Sequence, residues 1–363
     1  MGVKLKELVE RNKIEFQKLA GKIIAVDAPN IIMGLFNFVR KDSEGKNAEL
    51  LLDYTQRPIA HLFGLLYRIN FLYSKKIFPI LIFDGIDSEL KRLITKDRLH
   101  DFRFTQSWYQ QAIFNGDTKL ARQIALSREY MWQNIIQESK QLLDALGVPY
   151  FESPASAESQ CAQLVKDKVT HYSNSQDFDS LLFGCPHLLQ NLTKTLRRKI
   201  QGQWKYQKIE PLETHLKHNL NTLGINQFQL VDMAILIGTD YFSGIKSIGP
   251  KTALKLIKKY HSLERILHQE KNRYDFERLT PDLIKKVRKI FLLPEVLKRY
   301  EEISWNYPNE TQVYHLLFEE HNLDQERIKN NMGKFMKNYK QCRSYFEFHQ
   351  NKPHLKQKSL FSF

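Results

Sequence analysis

Two short apolar segments, each ending in an aspartate, predict neighbouring strands of a buried sheet. They are Lys22 to Asp27 (KIIAVD) and Phe78 to Asp84 (FPILIFD). Continuous apolar runs of this length are typical of strands covered on both faces, as in parallel sheets. Between them, Ile59 to Tyr73 repeats apolar positions at helical spacing. We therefore expect it to form the crossover helix of a right-handed β-α-β unit.

The later part of the chain extends the same sheet. Strand candidates lie around Val148 to Phe151 and Val169 to Tyr172, and each leads into an acidic loop. Lys194 to Lys208 is rich in charge and predicts an exposed ribbon, while Gln227 to Ile237 has helical spacing and ends at Gly238, a normal helix stop. The pattern predicts an α/β fold with a mainly parallel, twisted sheet flanked by helices. In such sheets ligands bind at the C-terminal ends of the strands.

The region from Asp87 to about Ala145 is almost entirely helical in pattern and is rich in basic and aromatic residues. These residues include Lys91, Arg92, Arg98, Phe102, Arg103, Phe104, Trp108 and Tyr109. A helix with a solvated, charged face explains the pattern. A surface on which the bases of single-stranded nucleic acid stack explains it equally well.

Composition narrows the class of protein. The 363 residues include 55 Lys and Arg against 40 Asp and Glu, a net charge of +15 that is spread along the chain. This excess favours a polyanionic partner, although an ordinary basic surface is the alternative. Cys161, Cys185 and Cys342 form no CxxC pair, which fits neither a disulfide framework nor a thiolate zinc site and predicts a reducing, cytoplasmic compartment. No segment approaches the roughly 20 apolar residues of a membrane span.

Six acidic residues come from five separate segments, and most of them stand at predicted strand ends or in the loops beyond. They are Asp27, Asp84, Glu158, Asp177, Asp179 and Asp240. Taken singly, each is explained as a turn or capping residue. Taken together, so many like charges require a cation among them, and oxygen ligands alone favour Mg²⁺ or Mn²⁺ over zinc. Two such ions suit phosphodiester hydrolysis, because they can activate water and stabilise the leaving oxygen.

The segment Gly238 to Tyr260 (GTDYFSGIKSIGPKTALKLIKKY) predicts a phosphate contact. Gly249-Pro250 begins an amphipathic helix that carries Lys251, Lys255, Lys258 and Lys259. Free N–H groups at such a helix start, flanked by lysines, bind phosphate regardless of base identity. A plain helix-turn-helix within the core is the alternative.

The motifs VDAPN, FDG, PASAESQCA, SQDFDSLLFG and GTDYFSGIKSIGPKTAL occur in the order and spacing of the flap endonuclease family. The chain resembles an archaeal-type member of these structure-specific 5′ nucleases, which are related to the XPG/Rad2 superfamily, and the match covers nearly the whole length. The resemblance implies a PIN-like 5′-nuclease fold with a helical arch and a helix-two-turn-helix motif. It also implies metal-dependent hydrolysis of 5′ flaps and 5′-3′ exonuclease activity in DNA replication, including Okazaki fragment maturation, and in repair.

The resemblance assigns roles to individual residues. The six acids fall on metal sites for two Mg²⁺ ions, with Mn²⁺ as the alternative. Lys91 and Arg98, seven and fourteen residues after Asp84, fall on basic residues at the base of the arch that engage the scissile phosphate. The helix-two-turn-helix grips duplex backbone, often with bound K⁺. The residues expected to contact DNA are Gly2, Met33, Gly244, Ile245, Ile248, Gly249, Lys251 and Lys255.

Two positions depart from the family pattern. Ser156 stands where the family usually has the first glutamate of Glu-x-Glu, so one metal-site acid is absent and one ion is expected to bind more weakly. Met33 replaces a tyrosine that stacks on a base near the cleavage point, and methionine stacks less well.

The C-terminus resembles a sliding-clamp interaction peptide. The matching residues are Gln357, Leu360, Phe361 and Phe363. A disordered basic tail is the alternative, since termini usually fray.

We expect one nuclease domain over 1–335, with an N-terminal region about 1–105, an arch about 87–135 and an internal region about 140–265 that contains the helix-two-turn-helix about 238–260. A flexible tail over 336–363 follows, and the protein is expected to be a monomer.

Two other functions remain open at this stage. A nuclease of the same superfamily that prefers gaps, bubbles or four-way junctions has the same fold, and fold alone does not separate these substrates. Ser156 also allows a catalytically weakened or non-catalytic DNA-structure binder that recruits the clamp. The six acids together with Lys91 and Arg98 argue against a pure binder, because concentrated negative charge beside DNA does not help binding.

Overall fold

The computed structural model describes residues 3–36, 51–55, 57–85, 107–125, 128–193, 195–200, 203–300 and 303–350. Several predicted site residues lie outside these ranges: Gly2, Lys91, Arg98, Gln357, Leu360, Phe361 and Phe363. Met33 is described for its backbone only. Within the described ranges, no helix has the length and apolar character that a membrane span requires.

A seven-stranded sheet forms the centre of the molecule. Its strands are β1 (Asn12–Lys13), β2 (Ile23–Asp27), β3 (Phe78–Phe83), β4 (Tyr150–Glu152), β5 (Tyr172–Asn174), β6 (His187–Gln190) and β9 (Leu212–His215). Their order is β1-β9-β6-β5-β2-β3-β4, and the five strands from β6 to β4 are parallel while β9 runs antiparallel to both β6 and β1. The predicted mainly parallel sheet is confirmed. The predicted ribbon is a separate hairpin of β7 (Thr195–Ile200) and β8 (Gln203–Lys208).

Helices surround the sheet. They are α1 (Phe16–Leu19), α2 (Ala28–Phe36), α3 (Ala60–Ser74), α4 (107–114), α5 (Thr118–Ala125), α6 (Arg128–Leu146), α7 (Ala157–Lys166), α8 (Asp179–Leu182), α9 (Leu216–Leu223), α10 (Gln227–Ile237), α11 (Pro250–Tyr260), α12 (Leu263–Gln269), α13 (Pro281–Leu292), α14 (Glu310–Tyr314), a π-helical turn (His315–Glu320) and α15 (Gln325–Gln350). The predicted crossover helix is α3, and the described part of the predicted helical region consists of α4 to α6.

The apolar strands decide where the core lies. Every residue of β2 and β3 is buried, as expected for central parallel strands covered on both faces. One core packs α3 and α15 with these two strands. A second core joins α8, α10, α11 and α13 on the side of β6. The strands are therefore held rigidly from both faces, and the side chains at their ends are fixed with them.

The predicted start of a flexible tail at 336 is wrong. Helix α15 continues to Gln350, and its Tyr339, Cys342 and Phe346 are buried in the first core. The Tyr339 ring packs edge-on against Tyr73 of α3, with centroids 5.3 Å apart. The sequence misled because α15 is polar on average, so its apolar stripe is easily mistaken for isolated residues.

Candidate metal centre

Asp27 is the last residue of β2, and its carboxylate is fixed from two sides. Its Oδ1 accepts a hydrogen bond from the Asn30 N–H at 3.1 Å, and its Oδ2 accepts one from the Ser175 hydroxyl at 2.9 Å. The residue is only 4% exposed. Because β2 is a central strand, Asp27 lies in the middle of the sheet edge formed by strand C-termini.

Asp84 follows β3 and lies against the N-terminus of α7. Its Oδ1 accepts a hydrogen bond from the Ala157 N–H at 2.8 Å. The first N–H groups of a helix lack intrahelical partners and carry partial positive charge, so this position favours a carboxylate. Ser156 is the N-cap of the same helix, and its hydroxyl accepts from the Ser159 N–H at 3.2 Å. The residue that replaces the expected glutamate therefore has a structural role directly beside the acids.

Glu158 lies in the first turn of α7 and shares a partner with Asp27. Its Oε1 is 3.1 Å from the Ser175 hydroxyl oxygen, which also accepts the Asp177 N–H at 3.2 Å. A hydroxyl has one proton, so Ser175 donates to only one of the two carboxylates at a time. Ser175 thus ties three of the predicted metal-site acids together.

Asp177 and Asp179 stand in the loop after β5 and at the start of α8. The Asn30 side chain donates to Asp177 Oδ2 at 3.1 Å and accepts the Gln176 N–H at 3.1 Å, which joins this loop to α2. Asp179 is 5% exposed, and its Oδ1 accepts the Val3 N–H at 2.7 Å. The N-terminal segment of the chain is therefore fixed against the centre.

Asp240 completes the group from the loop after α10. This loop is closed by an antiparallel bridge between Thr239 and Phe242. Asp240 is exposed, yet its charge acts on buried neighbours. Burial raises the pKa of Tyr241, and the carboxylates of Asp240, Asp179, Glu158 and Asp84 raise it further. The pKa of one phenol is therefore affected by four of the six acids.

The buried acids repel one another strongly. Burial, followed by the charge of Asp84, raises the pKa of Asp27 to about 7. Burial also raises the pKa of Asp179 to about 7, against the opposing Val3 hydrogen bond and together with the charge of Asp240. Glu158 has a pKa well above its usual value, through burial and the charges of Asp179 and Asp27. Without a cation, burial and mutual repulsion therefore disfavour the ionised forms of all three groups.

The donor set fits divalent cations of the hard type. All six groups are carboxylates, which are ligands that Mg²⁺ and Mn²⁺ prefer. Among the described residues, no lysine or arginine forms an ion pair with Asp27, Asp84 or Glu158. A divalent cation bound between the carboxylates would neutralise this repulsion. Shared hydrogen bonds to Ser175 and mutual charge effects link all six acids that the sequence predicted.

Three residues of the centre were missed by sequence reasoning. Asn30 and Ser175 hold the acids in place, and Tyr241 lies among them. Asn30 stands in the quoted motif VDAPN and Ser175 in SQDFDSLLFG. A search for polar neighbours two or three residues from each predicted ligand could have found both.

The predicted helix-two-turn-helix is formed by the end of α10, the following turns and α11. Gly244 has a φ of +79°, and a Cβ there would lie 2.3 Å from the Ile237 carbonyl oxygen, so the turn requires glycine. Ile245 and Ile248 are buried at 7% and 4% exposure, which leaves only their backbone for a DNA contact. Their side chains anchor the turn to the second core.

Helix α11 presents a basic N-terminus to solvent. Pro250 is its first residue, and the N-cap Gly249 supplies no side-chain hydrogen bond. Lys251 and Lys255 are exposed, and within the described part of the chain the Lys251 side chain forms one long ion pair, 3.7 Å from Glu7. The free N–H groups and lysines are available to a phosphate backbone.

Comparisons with known proteins identify the family to which the chain is similar. Models of the XPG N-terminal domain and of the XPG I-region match residues 1–101 and 147–240. Flap endonuclease 1 of Aeropyrum pernix is 35% identical over 94% of this chain and 96% of its own length. That of Nanoarchaeum equitans is 34% identical over 100% of this chain and 99% of its own.

Solved structures show the same fold. The flap endonuclease-1 from Methanococcus jannaschii superposes with a TM-score of 0.69 at 24% identity, over 93% of this chain and 99% of that chain. The catalytic core of Rad2 in complex with DNA substrate superposes with a TM-score of 0.63 at 21% identity, over 90% and 96%. With two XPG regions and about 35% identity over almost the full length of its relatives, the chain belongs to the flap endonuclease family.

Proposed function

We propose that this protein is a structure-specific 5′ nuclease that hydrolyses the phosphodiester bond at the junction of a 5′ flap with duplex DNA. The observation that carries the proposal is the convergence of six carboxylates from five segments at the C-terminal edge of the sheet. The same chemistry supports 5′-3′ exonuclease activity. Replication, including Okazaki fragment maturation, and repair are the processes in which such junctions arise.

The carboxylates are divided between a buried and an open side. Asp27 and Asp179 are buried, Asp240 is exposed, and the other three are partly exposed, namely Asp84, Glu158 and Asp177. All six would hold the divalent ions, for which we propose Mg²⁺, with Mn²⁺ able to replace it. Such ions supply charge neutralisation and an acidified water to phosphodiester hydrolysis. Ser175, Asn30 and the α7 N-terminus keep the carboxylates oriented before substrate arrives.

Duplex DNA is proposed to bind across the turn before α11. Lys251 and Lys255 are exposed in the first half of α11, and the turn Gly244 to Ile248 directly precedes the Gly249 N-cap of this helix. Carbonyl oxygens in this turn are the proposed ligands of K⁺. Phosphate contacts of this type carry no base specificity and weaken steeply with salt.

The flap strand is proposed to pass the region of α4. Phe114 is 90% exposed and Trp108 is 57% exposed, both unusual for large aromatic side chains. Rings in this position can stack on unpaired bases. The Tyr109 hydroxyl donates to the Thr55 carbonyl oxygen and so fixes α4 to the body. Lys91 and Arg98, outside the described residues, are proposed to engage the scissile phosphate, and Gly2 and Met33 to contact DNA near it.

A partner protein is proposed for the C-terminus. Gln357, Leu360, Phe361 and Phe363 match a sliding-clamp peptide, and such peptides order on binding. A pull-down with the sliding clamp of the same cell tests this proposal. It compares the full chain with a chain that ends at Gln350. Equal recovery of both chains would contradict the proposal. The protein is also proposed to act as a monomer, in the cytoplasm of an archaeal cell or in the nucleus of a eukaryotic one.

Cleavage of an end-labelled 5′-flap duplex tests the central proposal. Gapped, bubble and four-way substrates are run in parallel, each in Mg²⁺ and in Mn²⁺. Asp179→Asn removes one ligand charge while leaving an oxygen for the Val3 N–H. Asp275→Asn is the matched control, because Asp275 Oδ1 also accepts a backbone N–H, from Glu277 at 2.9 Å, on an exposed loop.

We expect the wild type and Asp275→Asn to cut at the flap base and Asp179→Asn to lose about a hundredfold or more of the rate, in line with loss of a main electrostatic contribution. Faster cutting of gaps, bubbles or four-way junctions would support the nuclease activity but contradict the proposed preference for flaps. Flap binding without cutting in either metal would contradict the proposal that the protein is an enzyme, and would support a non-catalytic DNA binder.

A further inference from the structure

A second group of metal-ligating side chains lies on strands β6 and β9, at the other end of the sheet. His187 and His215 are directly opposite each other in this antiparallel pair. Glu213 stands two residues before His215 on β9, so strand geometry places it on the same face. His187 is the first residue of β6, whereas Asp27 is the last residue of β2, and these strands are parallel. The group therefore lies at the edge of the sheet opposite the acidic centre.

The donor atoms of the three residues already lie close together. His215 Nε2 is 3.1 Å and His187 Nδ1 is 3.9 Å from the same oxygen, Glu213 Oε1, and all three donor atoms lie within 4.8 Å of one another. The imidazole rings meet edge to face with centroids 4.8 Å apart. Tetrahedral ligands at about 2.0–2.1 Å from a zinc ion are roughly 3.3 Å apart. Small side-chain rotations would therefore close the group around one ion.

We propose that His187, Glu213 and His215 bind one divalent transition-metal ion, with Zn²⁺ as the best fit, which cross-links β6 to β9. Two imidazoles and one carboxylate are a ligand set that zinc and its neighbours prefer and that Mg²⁺ does not. Two of the three side chains are about 40% exposed, so the ion can enter from solvent and keep an open coordination position. The proposal does not depend on the nuclease activity.

The surroundings of the group support a metal of this type. Burial and then the charge of Glu213 raise the pKa of Tyr172 to about 12, and the Tyr172 ring packs against His187. Partners of this kind orient a ligand. The His187 Nδ1 atom is buried and has no hydrogen-bond partner among the described residues. A metal bond would satisfy it.

Positive charge nearby sharpens the selectivity. His187 also lines a cavity of about 400 Å³ with Lys22, Lys166 and Lys168. These ammonium groups disfavour a cation held by charge alone. A metal that forms strong bonds to imidazole nitrogen is affected least.

Zinc titration of the full-length protein tests the proposal. The protein is freed of metal, returned to excess Mg²⁺ to keep the carboxylate centre filled, and titrated with Zn²⁺ by calorimetry. His187→Asn and His215→Asn each remove one ligand. His218→Asn is the control, because His218 is an exposed histidine paired with Glu10 at 2.9 Å on the adjacent α9.

We expect the wild type and His218→Asn to bind one equivalent of Zn²⁺, and each ligand variant to bind it at least about tenfold more weakly. Co²⁺ in place of Zn²⁺ should give the visible absorption of a four-coordinate ion in the wild type and lose it in both variants. If a histidine variant fails to fold, Glu213→Gln replaces it. Zinc isotherms that are the same in wild type and ligand variants, or no zinc binding by the wild type in Mg²⁺, would overturn the proposal.

Discussion

Ser156 gives the sharpest test of how the acidic centre balances stability against metal binding. Its hydroxyl caps α7 by accepting the Ser159 N–H, and the Ala157 N–H, the first of the helix, donates to Asp84. Ser156→Ala removes the cap and adds no charge. Ser156→Asp adds a carboxylate and keeps a capping oxygen. Ser156→Glu adds the carboxylate found in the family and places a poor capping residue at this position.

The expected magnitudes follow from these contacts. Loss of an N-cap costs about 1 kcal/mol. For 363 residues the unfolding entropy makes this a fall in Tm of about 1–2 °C. A further carboxylate roughly 8 Å from another, at an effective dielectric constant near 20, adds about 2 kcal/mol of repulsion when no metal is bound.

Differential scanning fluorimetry in EDTA and in Mg²⁺, with flap cleavage at graded Mg²⁺, separates these effects. In EDTA we expect Ser156→Ala to lower Tm slightly, Ser156→Asp to lower it more and Ser156→Glu to lower it most. In Mg²⁺ the two acidic variants should recover, whereas Ser156→Ala should not. Their half-saturating Mg²⁺ should fall about tenfold, the equivalent of about 1.4 kcal/mol.

Two results would refute this reasoning. An unchanged Tm for Ser156→Ala in EDTA would show that the cap contributes nothing. Unchanged half-saturating Mg²⁺ in both acidic variants would show that position 156 does not reach a metal ion, even though its helix contacts Asp84.

Three further predictions follow from single contacts. Ser175→Ala loses the hydroxyl between Asp27 and Glu158 and should lower kcat in Mg²⁺ with little change in flap affinity; Ser175→Thr should restore kcat, and a purely affinity effect would contradict the role. Gly244→Ala forces a Cβ against the Ile237 carbonyl oxygen and should weaken duplex binding and lower Tm, whereas Gly249→Ala, where a Cβ meets nothing within 4 Å, should cost much less; equal effects would refute the backbone argument. In EDTA, burial raises the pKa of Asp179 from 3.8 to about 7, so the folded state holds a proton that the unfolded state lacks between these pH values and stability falls as pH rises through them. The free energy of unfolding of Asp179→Asn should therefore equal that of wild type near pH 4 and exceed it by up to about 4 kcal/mol at pH 8. A difference that does not change with pH would contradict this prediction.

The sequence predicted the central strands β2 and β3, and the sheet edge beside which the acids lie, because both follow from local patterns. Continuous apolar runs such as KIIAVD and FPILIFD place buried strands, and an acid at the end of each run must then lie on one edge of a parallel sheet. Contacts that join distant segments could not be predicted in the same way. The Val3 N–H meets Asp179 across 176 positions in sequence, and no local signal marks that meeting.

The two failures have separate physical causes. The tail boundary at 336 failed because α15 has many charged residues, and its few buried rings are recognisable only against α3. The histidines of β6 and β9 were passed over because they are 28 residues apart and occur in no metal-binding spacing. Only the antiparallel register of β6 and β9 makes them neighbours.

The same physics explains why the centre contains so many residues that are not ligands. A buried carboxylate without a cation either takes up a proton or destabilises the fold, and Asp27, Asp179 and Glu158 show this tendency in their raised pKa values. Hydrogen bonds from Ser175, Asn30 and backbone N–H groups favour the ionised forms and so oppose that tendency. A neutral cap at Ser156 reduces the repulsion further, at the cost of a possible ligand. The arrangement therefore implies that metal binding and folding stability are linked in this protein. A substitution that removes repulsion and so stabilises the metal-free fold in EDTA will weaken the binding of Mg²⁺.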